Sequence, residues 1–340
     1  MKIGTRSEAV RSFIIKSVGK HPTDIAKHAA EHFGCTRQAI HKHLQRLKSE
    51  GLILTMGDHK TKVYSLAPLV EWSQEYSVSP KLEEGEVWRN DVKPQIGVVA
   101  KNVEDIWAFG FTEMLNNAIE HSGATRVVVF VTKTAASTQI ILYDNGVGIF
   151  KKIQRALELT DERHAVLELA KGKLTTDPLN HTGQGIFFSS RMFDTFAIQS
   201  GEVHFSHQIK GNDDWIGQAA KGVASTFVFM ELSNHTARTS KKIFDAFTDG
   251  DDYGFTKTLV PVRLAQLGNE SLVSRSQAKR VLNRIDRFKV VVFDFEGIES
   301  IGQSFADEVF RVFALRNPQI ELTAVNAGRD IKNMISRARS

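Results

Sequence analysis

Cysteine is almost missing from this chain. Cys35 is the only one in 340 residues, so no intrachain disulfide can form, and the composition suits a reducing compartment. No apolar run approaches the roughly 18 residues that a membrane crossing needs, which excludes a membrane-embedded sensor. Residues 1–6 lack the apolar segment of a signal peptide. There is no low-complexity tract, and His204 and His207, on one alternating stretch, have no metal-ligand spacing around them. These absences lead to the expectation of a cytoplasmic protein with no membrane partner. What is present is ordinary globular material, 41% hydrophobic and 24% charged, long enough for two or three domains with a core each. The net charge of +5 is uneven: residues 1–66 hold twelve Lys and Arg against five acids, a net +7, so the remainder carries −2.

The basic first part reads as three helices and a hairpin. Val10, Phe13, Ile14 and Ile15 give residues 8–18 an apolar side, and Ile25, Ala29 and Phe33 do the same for a second helix that Gly34 ends. Thr36 caps a third over residues 37–50, with Ile40, Leu44 and Leu47 as its buried stripe. Two short strands, 52–55 and 62–66, bracket a polar tip. Removing the stripe from the third helix leaves Arg37, Gln38, His41, Lys42, Gln45 and Arg46, side chains able to reach base edges and phosphates. At the tip, His59, Lys60 and Lys62 can track a phosphate backbone. This order resembles the winged helix-turn-helix of bacterial regulators, which implies DNA as a partner; a winged helix used only for protein contacts is the alternative. Residues 69–93 read as a linker, with a short helix over 83–92 that Pro94 ends.

The middle third carries the most chemistry. Phe111, Leu115, Ala118 and Ile119 make a helix face, while Glu113 and Asn117, four apart, project together from another. A carboxamide oxygen can ligate Mg²⁺ while a carboxylate takes a proton from a nucleophile. Two strands follow, 126–131 and 138–143, the second running into Asp144-Asn145-Gly146-Val147-Gly148. Further on, His181-Thr182-Gly183-Gln184-Gly185 opens a helix whose amides can hold phosphates. Alone, Asp-Asn-Gly is a tight turn and Gly-x-Gly is weak, but here three motifs come in a fixed order. That order resembles the GHKL, or Bergerat-fold, ATPase superfamily over residues 90–235. The resemblance implies an ATP-binding α/β sandwich in which Glu113 is the general base and Asn117 ligates Mg²⁺. It also implies that Asp144 binds the adenine amine, Gly146 and Gly148 admit the base, and Gly183, Gln184 and Gly185 hold phosphates. In Gly222-Val223-Ala224-Ser225-Thr226-Phe227, which resembles the family's closing box, the Ser225 hydroxyl would support Asp144. Residues 171–181 occupy the place of the family's ATP lid, where Lys171 and Lys173 could reach a γ-phosphate.

After a connector at 236–252, apolar strands alternate with helices: strand 260–264, helix 274–287, strand 290–295, helix 304–316, strand 321–325 and helix 330–338. This order, with residues 294–305, resembles a STAS domain, in particular the STAS-like module fused to ATPases in bacteria. The resemblance implies a possible phosphoacceptor at Ser304; read from the residues alone, Ser304 is an N-cap, with Asp307 and Glu308 in the first turn.

The expected fold class is therefore multidomain α+β. It comprises a winged helix (1–68), a linker (69–93), a central GHKL α/β sandwich (94–235), a connector (236–252) and a C-terminal STAS-like α/β domain (253–340). The expected function is an ATP-binding regulator, a switch or serine kinase, with ATP and Mg²⁺ as cofactors. The alternatives are an ATPase driving assembly on nucleic acid and a scaffold without chemistry, against which Glu113 argues. A sensor histidine kinase is disfavoured because no dimerisation helix pair with a phosphoacceptor histidine precedes residue 90. Expected partners are DNA, a protein docked on the C-terminal module, and further copies of the chain in a homo-oligomer.

Overall fold

The computed structural model describes residues 3–58, 61–174, 183–209, 213–218, 225–249, 252–266 and 270–340. Three helices come first: α1 (Ile3–Ser17), α2 (Ile25–Phe33) and α3 (Arg37–Ser49). Gly34 leaves α2 in the left-handed region, at φ 59°, and Thr36 Oγ1 starts α3 by accepting from the Ala39 N–H at 3.2 Å. Strands β1 (Ile53–Met56) and β2 (Val63–Leu66) form an antiparallel hairpin. Ile14, Ile25, Ile40, Leu44, Leu47 and Tyr64 close a core that is separate from the one filling the rest of the chain.

Residues 69–93 are not a linker. Residues 70–77 form strand β3 (Val70–Ser77), paired along its whole length with β4 (Arg126–Lys133) at the edge of a seven-stranded antiparallel sheet. Val70, Trp72 and Tyr76 supply the half-buried side of its period-two pattern, and the Tyr76 hydroxyl donates to Asp91 Oδ2 at 2.8 Å. Nor does Pro94 end a helix. Helix α4 (Glu84–Val87), a π-turn (Trp88–Val92) and α5 (Lys93–Ile96) run on continuously. The wide turn bonds the Lys93 N–H to Trp88 O, and Pro94, which has no N–H, follows it without leaving a donor unpaired.

Next come α6 (Lys101–Asn116) with a π-turn at its end (Asn117–His121), β5 (Ser137–Asp144), α7 (Ile149–Ala156), α8 (Glu162–Lys171) and α9 (Gly185–Met192). Strands β6 (Thr195–Ser200), β7 (Val203–Gln208), β8 (Asp213–Gln218) and β9 (Thr226–Ser233) complete the sheet, whose order is β3-β4-β5-β9-β6-β7-β8. Every second side chain of β4, β5 and β9 is buried, among them Val129, Ile140, Leu142, Val228 and Met230. Leu115 and Phe111 of α6 and Phe188 of α9 are buried in the same core.

The expected connector folds as α10 (Ser240–Asp245) and a short antiparallel pair, β10 (Thr248–Asp249) with β11 (Asp252–Phe255), so the expected boundary at 253 falls inside a strand. A second sheet is parallel: β12 (Lys257–Pro261), β13 (Val290–Asp294) and β14 (Glu321–Val325), in that order. Between its strands lie α11 (Arg275–Leu282) and one helical run made of α12 (Gln303–Asp307), a π-turn (Glu308–Phe313) and α13 (Ala314–Arg316); α14 (Arg329–Arg339) closes the chain. The first strand lies three residues earlier than its expected position. The helix expected to reach 287 stops at Leu282, because Asn283 is extended and Arg284 is left-handed at φ 60°. Overall the molecule is mixed α/β with several sheets, and no helix among the described residues is long and apolar enough to cross a membrane.

Candidate functional site

Strand alternation decides which way Asp144 points. Thr138, Ile140 and Leu142 of β5 are buried toward the helices, and Asp144, next in that series, is buried with them at 5% exposure. Antiparallel register sets Thr226 of β9 opposite it. Thr226 reaches the Asp144 carboxylate with both its backbone N–H and its hydroxyl, and the Gly146 N–H donates to Oδ1 at 2.8 Å. Burial pushes the Asp144 carboxyl above its usual range, against the pull of these hydrogen bonds. The hydroxyl beside Asp144 is thus that of Thr226 and not, as the closing-box resemblance implied, that of Ser225. Ser225 lies one residue out of phase, and its carbonyl accepts from Ser200 Oγ at 2.9 Å.

Past Asp144 the chain turns sharply. Asn145 Oδ1 accepts from the N–H groups of Thr125 and Arg126, which ties the turn to β4. Gly148, at φ 87°, lets α7 begin immediately, and a β-carbon there would stand 2.7 Å from Ser200 Oγ. One turn on, Lys152 Nζ donates to His121 O at 2.5 Å, and its desolvation lowers the ammonium pKa.

Helix α6 supplies the opposite wall. Glu113 lies in its last turn, and Asn117 opens the π-turn, a widening that shifts side-chain directions and recurs at functional sites. Close packing of α6 on α9 presses Glu113 against the start of α9: a β-carbon at Gly185 would collide with Glu113 Oε2. Gln184 occupies the N-cap of α9, and Gly183 O accepts from the Leu174 N–H at 3.1 Å.

Glu113, Asn117, Asp144, Gly183, Gln184, Gly185 and Thr226 all line one cavity of about 310 Å³, together with Lys152, His121 and Asn116. Apolar side chains including Met114, Ile149, Ile153, Ile198 and Val228 complete it. The volume falls at the lower end of the roughly 300–1,000 Å³ usual for small-molecule sites. Chemically the set offers a buried carboxylate acceptor for an amine, a carboxamide and a carboxylate for a cation, and a helix start for an anion. Gly146 and Gly148 shape the turn behind Asp144 and are absent from the lining.

Thr226 and Lys152 were missed by the sequence reading. Counting back from the buried phase of β9 would have found Thr226; Lys152 follows an ordinary turn and carries no motif. Lys171 and Lys173 do not reach the cavity. Lys171, 1% exposed, donates to Glu168 Oε1 at 2.7 Å and to the carbonyls of Arg280 and Asn283, while Lys173 Nζ donates to Arg287 O at 2.7 Å. His181, Thr182 and residues 222–224 lie outside the described residues. Among those described, no cluster of three or more His, Cys, Asp and Glu side chains could hold a metal ion.

On α3, Arg37, Gln38, His41, Lys42 and Arg46 are all exposed, with Arg46 Nε donating to Glu50 Oε1 at 3.0 Å. Lys60 lies outside the described residues, and Lys62 rests over the Tyr64 ring at 5.4 Å. Ser304 is exposed in the first turn of α12, outside the cavity. It is not the N-cap; Gly302 is.

Residues 277–332 match the family model of a STAS-like domain of unknown function (DUF4325), so the C-terminal part carries a STAS-like domain, running from α11 through β13 and β14 into α14. No curated protein matches the chain.

Proposed function

We propose that the cavity between α6, α9 and the sheet binds ATP with Mg²⁺, and that the chain is a nucleotide-dependent regulator of the GHKL kind with a winged-helix DNA reader at its start. One observation carries this reading: Glu113, Asn117, Asp144 and Gly183–Gly185, from three separate stretches of sequence, line a single cavity. Asp144, oriented by Thr226 and Gly146, accepts the exocyclic amine of adenine. The start of α9 faces the phosphates, and Asn117 offers its amide oxygen to the metal. Mg²⁺, when bound, neutralises phosphate charge. Glu113 is the base for an attacking hydroxyl or water.

Whether the acceptor is a hydroxyl or water is decided by the fate of the phosphate. Ser304 lies outside the cavity, so a kinase reading requires a second copy of the chain or another protein to present the serine, whereas the ATPase reading requires only water. Incubation with γ-labelled ATP followed by phosphosite mapping separates them: label on Ser304 or on a partner serine marks a kinase, and free phosphate marks an ATPase. Intact ATP that stays bound marks a switch. No binding at all contradicts the proposal.

The exposed cations of α3 support DNA as the partner of the first 66 residues, where the net charge is +7. A gel shift with Arg37 and Lys42 both replaced by alanine should lose retention; unaltered retention makes this unit a protein-binding module.

A further inference from the structure

The STAS-like domain grips the chain immediately beside the cavity. Helix α8 packs on β12 and on the turn after it (Val262–Ala265). At its end Lys171 caps the last carbonyls of α11, donating to Arg280 O at 2.9 Å and Asn283 O at 2.8 Å. Asn283 Nδ2 returns a bond to Glu168 Oε1 at 3.2 Å, and Thr258 Oγ1 donates to Lys171 O at 2.6 Å. Two residues on, Lys173 donates to Arg287 O while Arg284 Nη2 donates to Lys173 O at 2.7 Å. Leu169 and Leu174, on the same stretch, line the cavity. The other flank is held too: Phe187 of α9, also a lining residue, meets Phe255 with ring centroids 4.6 Å apart, and Phe255 meets Phe288 at 5.2 Å.

This joint is strained. Lys173 (φ 52°) and Arg284 (φ 60°) are two of the four described non-glycine residues in the left-handed region, and they are bonded to each other across it. Arg284 Nε and Nη1 and Arg280 Nη1 are buried without hydrogen-bond partners. Among the described residues, Glu168 is the carboxylate bonded to Lys171, and it stands 3.9 Å from Arg284. A buried ion pair with unmatched donors beside it gains little net stability. Neither lysine lines the cavity.

We propose that the docked STAS-like domain restrains the nucleotide cavity of its own chain through the Glu168–Lys171–Arg284 joint, so that docking and nucleotide binding oppose each other. This rests on the reading that the cavity binds nucleotide. By reciprocity, whatever loosens the joint tightens nucleotide binding, and nucleotide loosens the joint by the same factor.

The test measures Mg-ATP affinity by calorimetry in the full chain, in Arg284→Gly, which removes both the guanidinium and the left-handed strain, and in the milder Asn283→Ala. Melting curves verify that each variant is folded. Arg284→Gly should bind at least about fivefold tighter, the low end of usual coupling, with Asn283→Ala shifted the same way. In the wild-type chain, saturating Mg-ATP should speed amide exchange over residues 275–287. Unchanged or weaker affinity in both folded variants, or unchanged exchange, overturns the proposal. A wild-type chain that binds no Mg-ATP overturns the nucleotide reading instead. The joint is then judged without ligand: Arg284→Gly should speed exchange at residues 183–188, and unchanged exchange there overturns the coupling as well.

Discussion

Asp144 and Thr226 meet because of strand phase, and this pair carries the sharpest residue-level expectations. Thr226→Ala should weaken nucleotide binding, whereas Ser225→Ala should leave it close to wild type; calorimetry on the two variants distinguishes the pair. The raised pKa of Asp144 also has a stability consequence. A carboxyl whose folded pKa lies above its ordinary value contributes stability below that ordinary value and loses it as pH rises through the folded pKa. Asp144→Asn, which removes the buried charge, should therefore be more stable than wild type at neutral pH, with the advantage shrinking on acidification. Denaturant melts of both proteins at neutral and at acidic pH check this. Glu113→Ala should retain binding and lose about 10²–10⁴-fold in turnover, the usual worth of a general base. Sequence spacing was enough to pair Glu113 with Asn117, because helical geometry is local. It failed at Ser225 because only the register of β9 against β5 tells which hydroxyl faces Asp144, and register is a long-range property. It failed at Lys171 for the same reason: a lysine on a polar stretch gives no local sign that another domain's helix end will cover it.

Among elements, β3 departs furthest from the sequence reading. Its apolar positions are sparse and its remaining side chains polar, so nothing local separates it from a linker; pairing with β4 makes it a strand. The helix over 84–96 was legible in its first half, while the π-turn that lets it pass Pro94 was not. Because β3 pairs with β4 and this helix packs in the same core, the Tyr76–Asp91 bond ties the edge of the central sheet to that helix. Tyr76→Phe is then expected to cost about 1 kcal/mol in a urea melt, and no change would show that the edge strand contributes little. The strands and helices of the C-terminal sheet were legible to within a few residues, because alternation between apolar strands and amphipathic helices is a strong local signal. Their ends moved where Asn283 and Arg284 turn the chain toward α8.

At the scale of the whole molecule, the described residues form two hydrophobic cores, one within the first 66 residues and one shared by the large sheet and the STAS-like domain. Calorimetric unfolding should therefore show two transitions, with the central and C-terminal parts melting together; three transitions would mean that the joint at α8 does not unite them. The basic first unit should respond to salt as a phosphate binder does, its DNA affinity falling steeply as salt rises. Both expectations are subordinate to the nucleotide site. The most direct measurement is a calorimetric titration of Mg-ATP into the full chain and into Asp144→Asn. The account predicts saturable binding by the wild type and a loss of about tenfold or more in the variant, the cost of exchanging a charged acceptor for a neutral amide; absence of binding by the wild type, or equal affinity in both, would contradict it.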